Sequence, residues 1–138
     1  VSTSGGGDVK VLGIMVGGAM GATARYYLTL WIQGGLQNGS LAGFPLATMT
    51  VNVVGSFLFA FLTEFGLRGA VSPQMRLALG TGFLGALTTF STFEVETDAL
   101  LTGGRLGWAA TYVIGNLLLG FVAVLLGRAL AARIAGPA

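Results

Sequence analysis

From Leu106 to Gly127 the chain carries no charged side chain, and the same holds from Pro45 to Thr63 and from Leu77 to Phe93. A further apolar stretch, Val11 to Ile32, is interrupted only by Arg25. The hydrocarbon core of a bilayer is about 30 Å thick, and roughly 20 apolar residues cross it as a helix. Backbone polar groups inside it must find partners within the protein, which a helix provides along its own length. The four stretches predict an all-α integral membrane protein with four transmembrane helices. The spans fall at about residues 11–32, 45–65, 75–101 and 106–130. Composition agrees: 54% of the 138 residues are hydrophobic and 9% are charged, against about 25% charged in a soluble domain. Such a chain cannot cover its own surface with polar groups, and lipid is the surround that suits it. Four spans with short connections form a single domain, 11–134. The Ser/Gly-rich residues before it, 1–10, read as disordered. No basic stretch precedes the first apolar run, so they do not read as a cleavable leader.

Composition also excludes. There is no cysteine, hence no disulfide, thiolate nucleophile or Cys-based metal site. There is no histidine, which removes the commonest general base and metal ligand. The chain is not expected to be an enzyme. The net charge of +2 comes from scattered residues and makes no nucleic-acid patch.

The connections carry turn chemistry. Gln33–Phe44 is glycine-rich, with Asn38 and Ser40, and Pro45 opens the second helix. Ser72 is a candidate N-cap with Pro73 behind it. Thr102–Arg105 reads as a tight turn. Lys10, Arg68, Arg76, Arg128 and Arg133 fall on the side of the termini, Arg25 and Arg105 on the other. The positive-inside rule then leans towards cytoplasmic termini.

Polar groups at membrane depth point to function. Asn52 lies near the middle of the second span, either as interhelical glue or as a donor lining an ion path. Tyr112, Asn116 and Gly120 share one face of the fourth span at i, i+4 and i+8. The third span is the most unusual. Glycines at 80, 82 and 85 precede hydroxyls at Thr88, Thr89, Ser91 and Thr92. This pattern predicts a helix broken near its middle, with freed backbone groups facing a cavity or an ion. Phe90 and Phe93 share a face there, towards lipid or with electropositive ring edges towards an anion. Gly17 and Gly21 read as close helix packing. All five acids, Asp8, Glu64, Glu94, Glu96 and Asp98, lie near span ends. A path without carboxylates suits an anion, and Arg25 reads either as a vestibule charge or as an interfacial anchor.

Three segments carry a resemblance. They are Gly17-Gly-Ala-Met-Gly-Ala-Thr-Ala-Arg25-Tyr26, Thr50-Val-Asn52-Val-Val-Gly55-Ser56-Phe57, and Gly82-Phe-Leu-Gly85-Ala-Leu-Thr88-Thr89-Phe90-Ser91-Thr92-Phe93. The chain resembles the Fluc family of fluoride ion channels along nearly its whole length. The resemblance implies an antiparallel homodimer with two pores in the bacterial cell (inner) membrane, exporting toxic fluoride passively. It implies pore roles for Asn52, Phe90, Phe93, Ser91, Thr92 and the Tyr112 face of the fourth span, on which Asn116 also lies; Arg25 is the candidate vestibule charge. It also implies a structural sodium ion at the dimer centre, held by the backbone carbonyls of Gly85 and Thr88. Glu96 matches a family acid without an assigned role. In the family the fourth-helix positions after the tyrosine often carry serines, where this chain has Asn116 and Gly120.

Two rival readings make different demands. A small dual-topology multidrug exporter needs a membrane-embedded carboxylate, and none lies inside the first span. A non-transporting membrane subunit needs no hydroxyl-rich broken helix.

Overall fold

The computed structural model describes residues 4–36 and 39–136. Asn38 of the first connection and residues 1–3 of the N-terminal segment lie outside them. The described chain is all-helical. In order it forms α1 (Ser4–Leu36), α2 (Leu46–Leu67), α3 (Pro73–Arg76), a π-helical segment (Leu77–Leu84), α4 (Gly85–Leu87), α5 (Phe90–Thr102) and α6 (Leu106–Ala135). Two of these, α2 and α6, are long and apolar enough to cross a membrane. The helix α1 begins at Ser4. Once the span that follows is helical, each further residue adds a hydrogen bond without a new nucleation penalty.

Local chemistry explains the boundaries. Pro45 caps α2 one position before its first helical residue. Ser72 caps α3, its Oγ accepting from the Met75 N–H at 3.3 Å, with Pro73 in the first turn. Between α5 and α6 the Arg105 N–H donates to the Leu100 carbonyl at 2.8 Å. Gly104 sits there at φ +71, a conformation glycine adopts without steric penalty.

The third apolar stretch does not form one continuous helix. The π-helical segment runs into α4, and then Thr88 and Thr89 are extended, with ψ 154 and ψ 118, before α5 starts at Phe90. A π turn is wider than an α turn and is held by i→i+5 bonds. Here it packs against α1 through backbone contact. A Cβ on Gly17 would strike the Ala78 carbonyl oxygen, and one on Gly21 the Phe83 carbonyl oxygen. Gly127 of α6 likewise rests on the Phe57 carbonyl of α2. These are the close approaches that small residues permit between helices in lipid.

Few side chains are buried. One cluster joins Phe93, Leu100, Ala109 and Tyr112, with Phe44, Met49, Trp108 and Val113 packed around it. Elsewhere large apolar residues face outwards, among them Leu12, Met15 and Trp31 of α1 and Leu118, Phe121 and Leu126 of α6. An apolar exterior of this extent calls for lipid or a second chain.

Candidate functional site

The extended pair at Thr88–Thr89 leaves backbone groups without helical partners, and α2 supplies one side chain that meets two of them. Asn52 Oδ1 accepts from the Thr89 N–H at 2.9 Å, and Asn52 Nδ2 donates to the Thr89 carbonyl at 3.1 Å. The amide thus takes the place of a missing peptide neighbour. Its remaining N–H points towards Asn116 Oδ1 on α6, at 3.5 Å. Thr89 also caps α5. Its Oγ1 accepts from the Thr92 N–H at 3.3 Å and lies 2.9 Å from the Thr92 hydroxyl. The Thr88 hydroxyl turns back to the Leu84 carbonyl at 3.0 Å.

A cavity of about 300 Å³ opens beside this junction. Asn52, Ser56, Thr88, Thr89, Asn116, Phe90 and Phe93 line it, together with Gly55, Phe59 and Leu117. None of these residues is charged. The rings of Phe90 and Phe93 lie 5.6 Å apart, the first 66% exposed and the second 9%.

Behind Phe93 the polar path continues. The Tyr112 ring is 5.3 Å from that of Phe93 and is fully buried. Its hydroxyl donates to Glu96 Oε2 at 2.6 Å, and the Thr48 hydroxyl donates to Glu96 Oε1 at 2.9 Å. Glu96 also lines a second cavity of about 520 Å³, whose rim carries Arg105 and Gln33. Arg105 sits 5.4 Å from the centre of the Trp108 ring, in a cation–π contact.

The sequence-predicted residues therefore divide. Asn52, Phe90, Phe93 and Asn116 meet in one cavity, and Tyr112 stands behind it. Ser91 is exposed and lines neither cavity, and Thr92 is held by the cap of α5. Arg25, on α1, lines neither cavity; of these two cavities, the one that carries an arginine has Arg105. Gly85 opens the short α4 and Thr88 follows its last residue, and among the described residues no backbone N–H from beyond the break reaches either carbonyl. Sequence reasoning misses Thr48 and Ser56. They stand at i−4 and i+4 from Asn52, the spacing that drew attention to Tyr112, Asn116 and Gly120. It also misses Thr89 as a cap, although a threonine directly before a helix start is a cap signal.

The family described as CrcB-like protein, Camphor Resistance (CrcB), matches residues 12–128. The chain belongs to the CrcB family. Among similar proteins is a fluoride-specific ion channel FluC of Thermus thermophilus, 43% identical over 130 residues, covering 94% of this chain and 99% of the relative. The protein of the same name from Chlorobium chlorochromatii is 43% identical, covering 91% and 95%. That from Geotalea uraniireducens is 46% identical, covering 85% and 92%. The CrcB match spans α2, the interrupted segment and α5 in full, so the Asn52–Thr89 junction and its cavity lie wholly within it.

Proposed function

We propose that this CrcB protein is a fluoride-selective passive channel of a bacterial cell membrane, through which cytoplasmic fluoride leaves and its toxicity is relieved. Relatives matched over nearly their full length bear the name of fluoride-specific channels. The observation in the chain itself that carries the reading is the cavity at the Thr88–Thr89 break, lined by amides, hydroxyls and aromatic rings with no charged group. A small anion must exchange its water for donors at close quarters. Ring edges of Phe90 and Phe93 offer positive electrostatic potential. With no carboxylate in the lining, a cation has no counter-charge to hold it there.

The chain crosses the membrane four times in this reading, as α1, as α2, as the interrupted run from α3 to α5, and as α6. The third span is then a broken transmembrane helix, and non-helical backbone at that depth is tolerated where it lines a cavity. The working unit is an antiparallel homodimer. The exposure of Phe90 beside a nearly buried Phe93, and the apolar exterior, support a second chain closing the cavity. The structural sodium belongs to the same reading. Gly85 and Thr88 present carbonyls at the negative end of a helical run, and oxygen ligands suit a hard cation. Two from each chain make a four-oxygen site.

Purified protein in vesicles loaded with fluoride or chloride, with valinomycin carrying potassium, tests the reading. Fluoride release without chloride release is the expected outcome. Release of both ions removes selectivity, and release of neither from well-folded protein removes the channel reading.

A further inference from the structure

We propose that the Ser56 hydroxyl is a fluoride-coordinating donor of the cavity, and that Asn52 acts through the backbone it braces; this rests on the fluoride reading above. Most donors around the cavity are already engaged. Asn52 has two amide N–H groups, one bonded to the Thr89 carbonyl and the other aimed at Asn116 Oδ1. The Thr88 hydroxyl donates to the Leu84 carbonyl, and the Thr89 hydroxyl donates to Thr92 Oγ1. Asn116 gives one N–H to the Tyr112 carbonyl at 2.9 Å and keeps one. Ser56 alone among the lining hydroxyls has no protein partner among the described residues, and it is not sealed away, since no buried side-chain atom is left unsatisfied. An anion that enters must replace its water with donors that are free, which leaves Ser56 and the second N–H of Asn116.

Position agrees with chemistry. Ser56 lies one helical turn beyond Asn52 on the same face of α2. It lines the cavity at the break and also a neighbouring one that reaches Thr63 and Arg128, so it stands where the two meet. Gly120 of α6 faces it. A Cβ built there lies 3.8 Å from Ser56 Oγ, an ordinary contact. The room opposite Ser56 is therefore large enough for a small side chain, and a hydroxyl at either position would serve the same space.

The test is fluoride release from vesicles by wild type, Ser56→Ala, Gly120→Ser and the double variant Ser56→Ala/Gly120→Ser. Loss of a hydrogen bond to an ion predicts that Ser56→Ala slows release about tenfold or more, with the thermal midpoint in detergent nearly unchanged. The double variant, which returns a hydroxyl from the opposite wall, recovers most of that loss. Unchanged release by Ser56→Ala overturns the proposal. A loss that the double variant does not recover also overturns it, because a packing defect is then the cause. Wild-type protein that releases no fluoride overturns the channel reading and this proposal together.

Discussion

Replacing Asn52 by aspartate keeps the acceptor that holds the Thr89 N–H and turns the donor facing the Thr89 carbonyl into a second acceptor. Two oxygens would then oppose each other at a spot now bridged at 3.1 Å. Asn52→Asp is expected to abolish fluoride release and also to lower stability, by about 1–3 kcal/mol for the lost bond at a half-buried group, read as a fall in the thermal midpoint. Lost release with an unchanged midpoint would return Asn52 to the role of direct ligand. Tyr112→Phe removes the donor to Glu96 Oε2 and leaves that oxygen unpaired. A stability loss of about 1–3 kcal/mol follows, and an unaltered midpoint would mean that Glu96 finds another donor. If Phe90→Ile and Phe93→Ile both leave fluoride release intact, ring edges have no part in conduction. Much at this scale was legible. Asn52, Phe90, Phe93 and Asn116 stood out because polar or aromatic groups in an uncharged run need a reason. The role of Glu96 did not, because its partners Thr48 and Tyr112 come from other helices, and no spacing in a sequence reports that meeting.

Among the helices, glycine is the residue whose meaning the sequence conceals. Twenty-four glycines announce close packing without saying which positions carry it. The structure separates them: Gly21 abuts the Phe83 carbonyl, whereas Gly34, on the same helix, has nothing within 4 Å. Gly21→Ala is expected to force α1 away from the π-helical segment and to lower the yield of monodisperse protein in detergent. Gly34→Ala should be neutral or stabilising by up to about 1 kcal/mol, through helix propensity. Equal behaviour of the two variants would mean that α1 does not pack through this face. The third apolar stretch stands out in the sequence, because glycines followed by clustered hydroxyls make a poor span. The π-helical segment does not, since a widened turn leaves no period of its own in eight residues.

At the scale of the molecule, charge is sparse enough that each site counts. Arg105 shares a cavity with the Glu96 carboxylate, and in the channel reading it is the cation that would draw an anion to that cavity. Arg105→Gln should slow fluoride release about threefold or more at ~10 mM salt, where screening reaches about 30 Å, and far less at ~150 mM, where it reaches about 8 Å. A loss independent of salt would instead implicate the packing of Arg105 on Trp108. Four apolar runs were plain from the sequence, as was a lipid surround. The meeting of α2, α5 and α6 around one cavity was not, because it depends on which faces turn inwards. That meeting also bears on biogenesis. In the four-span reading, a threonine peptide group with no partner in hydrocarbon would carry a penalty of several kcal/mol, and the interrupted segment would be poorly suited to enter the bilayer alone. Its partner side chain is on α2, which the ribosome makes earlier. On that reading, N-to-C synthesis would place the brace in the membrane before the segment that needs it arrives.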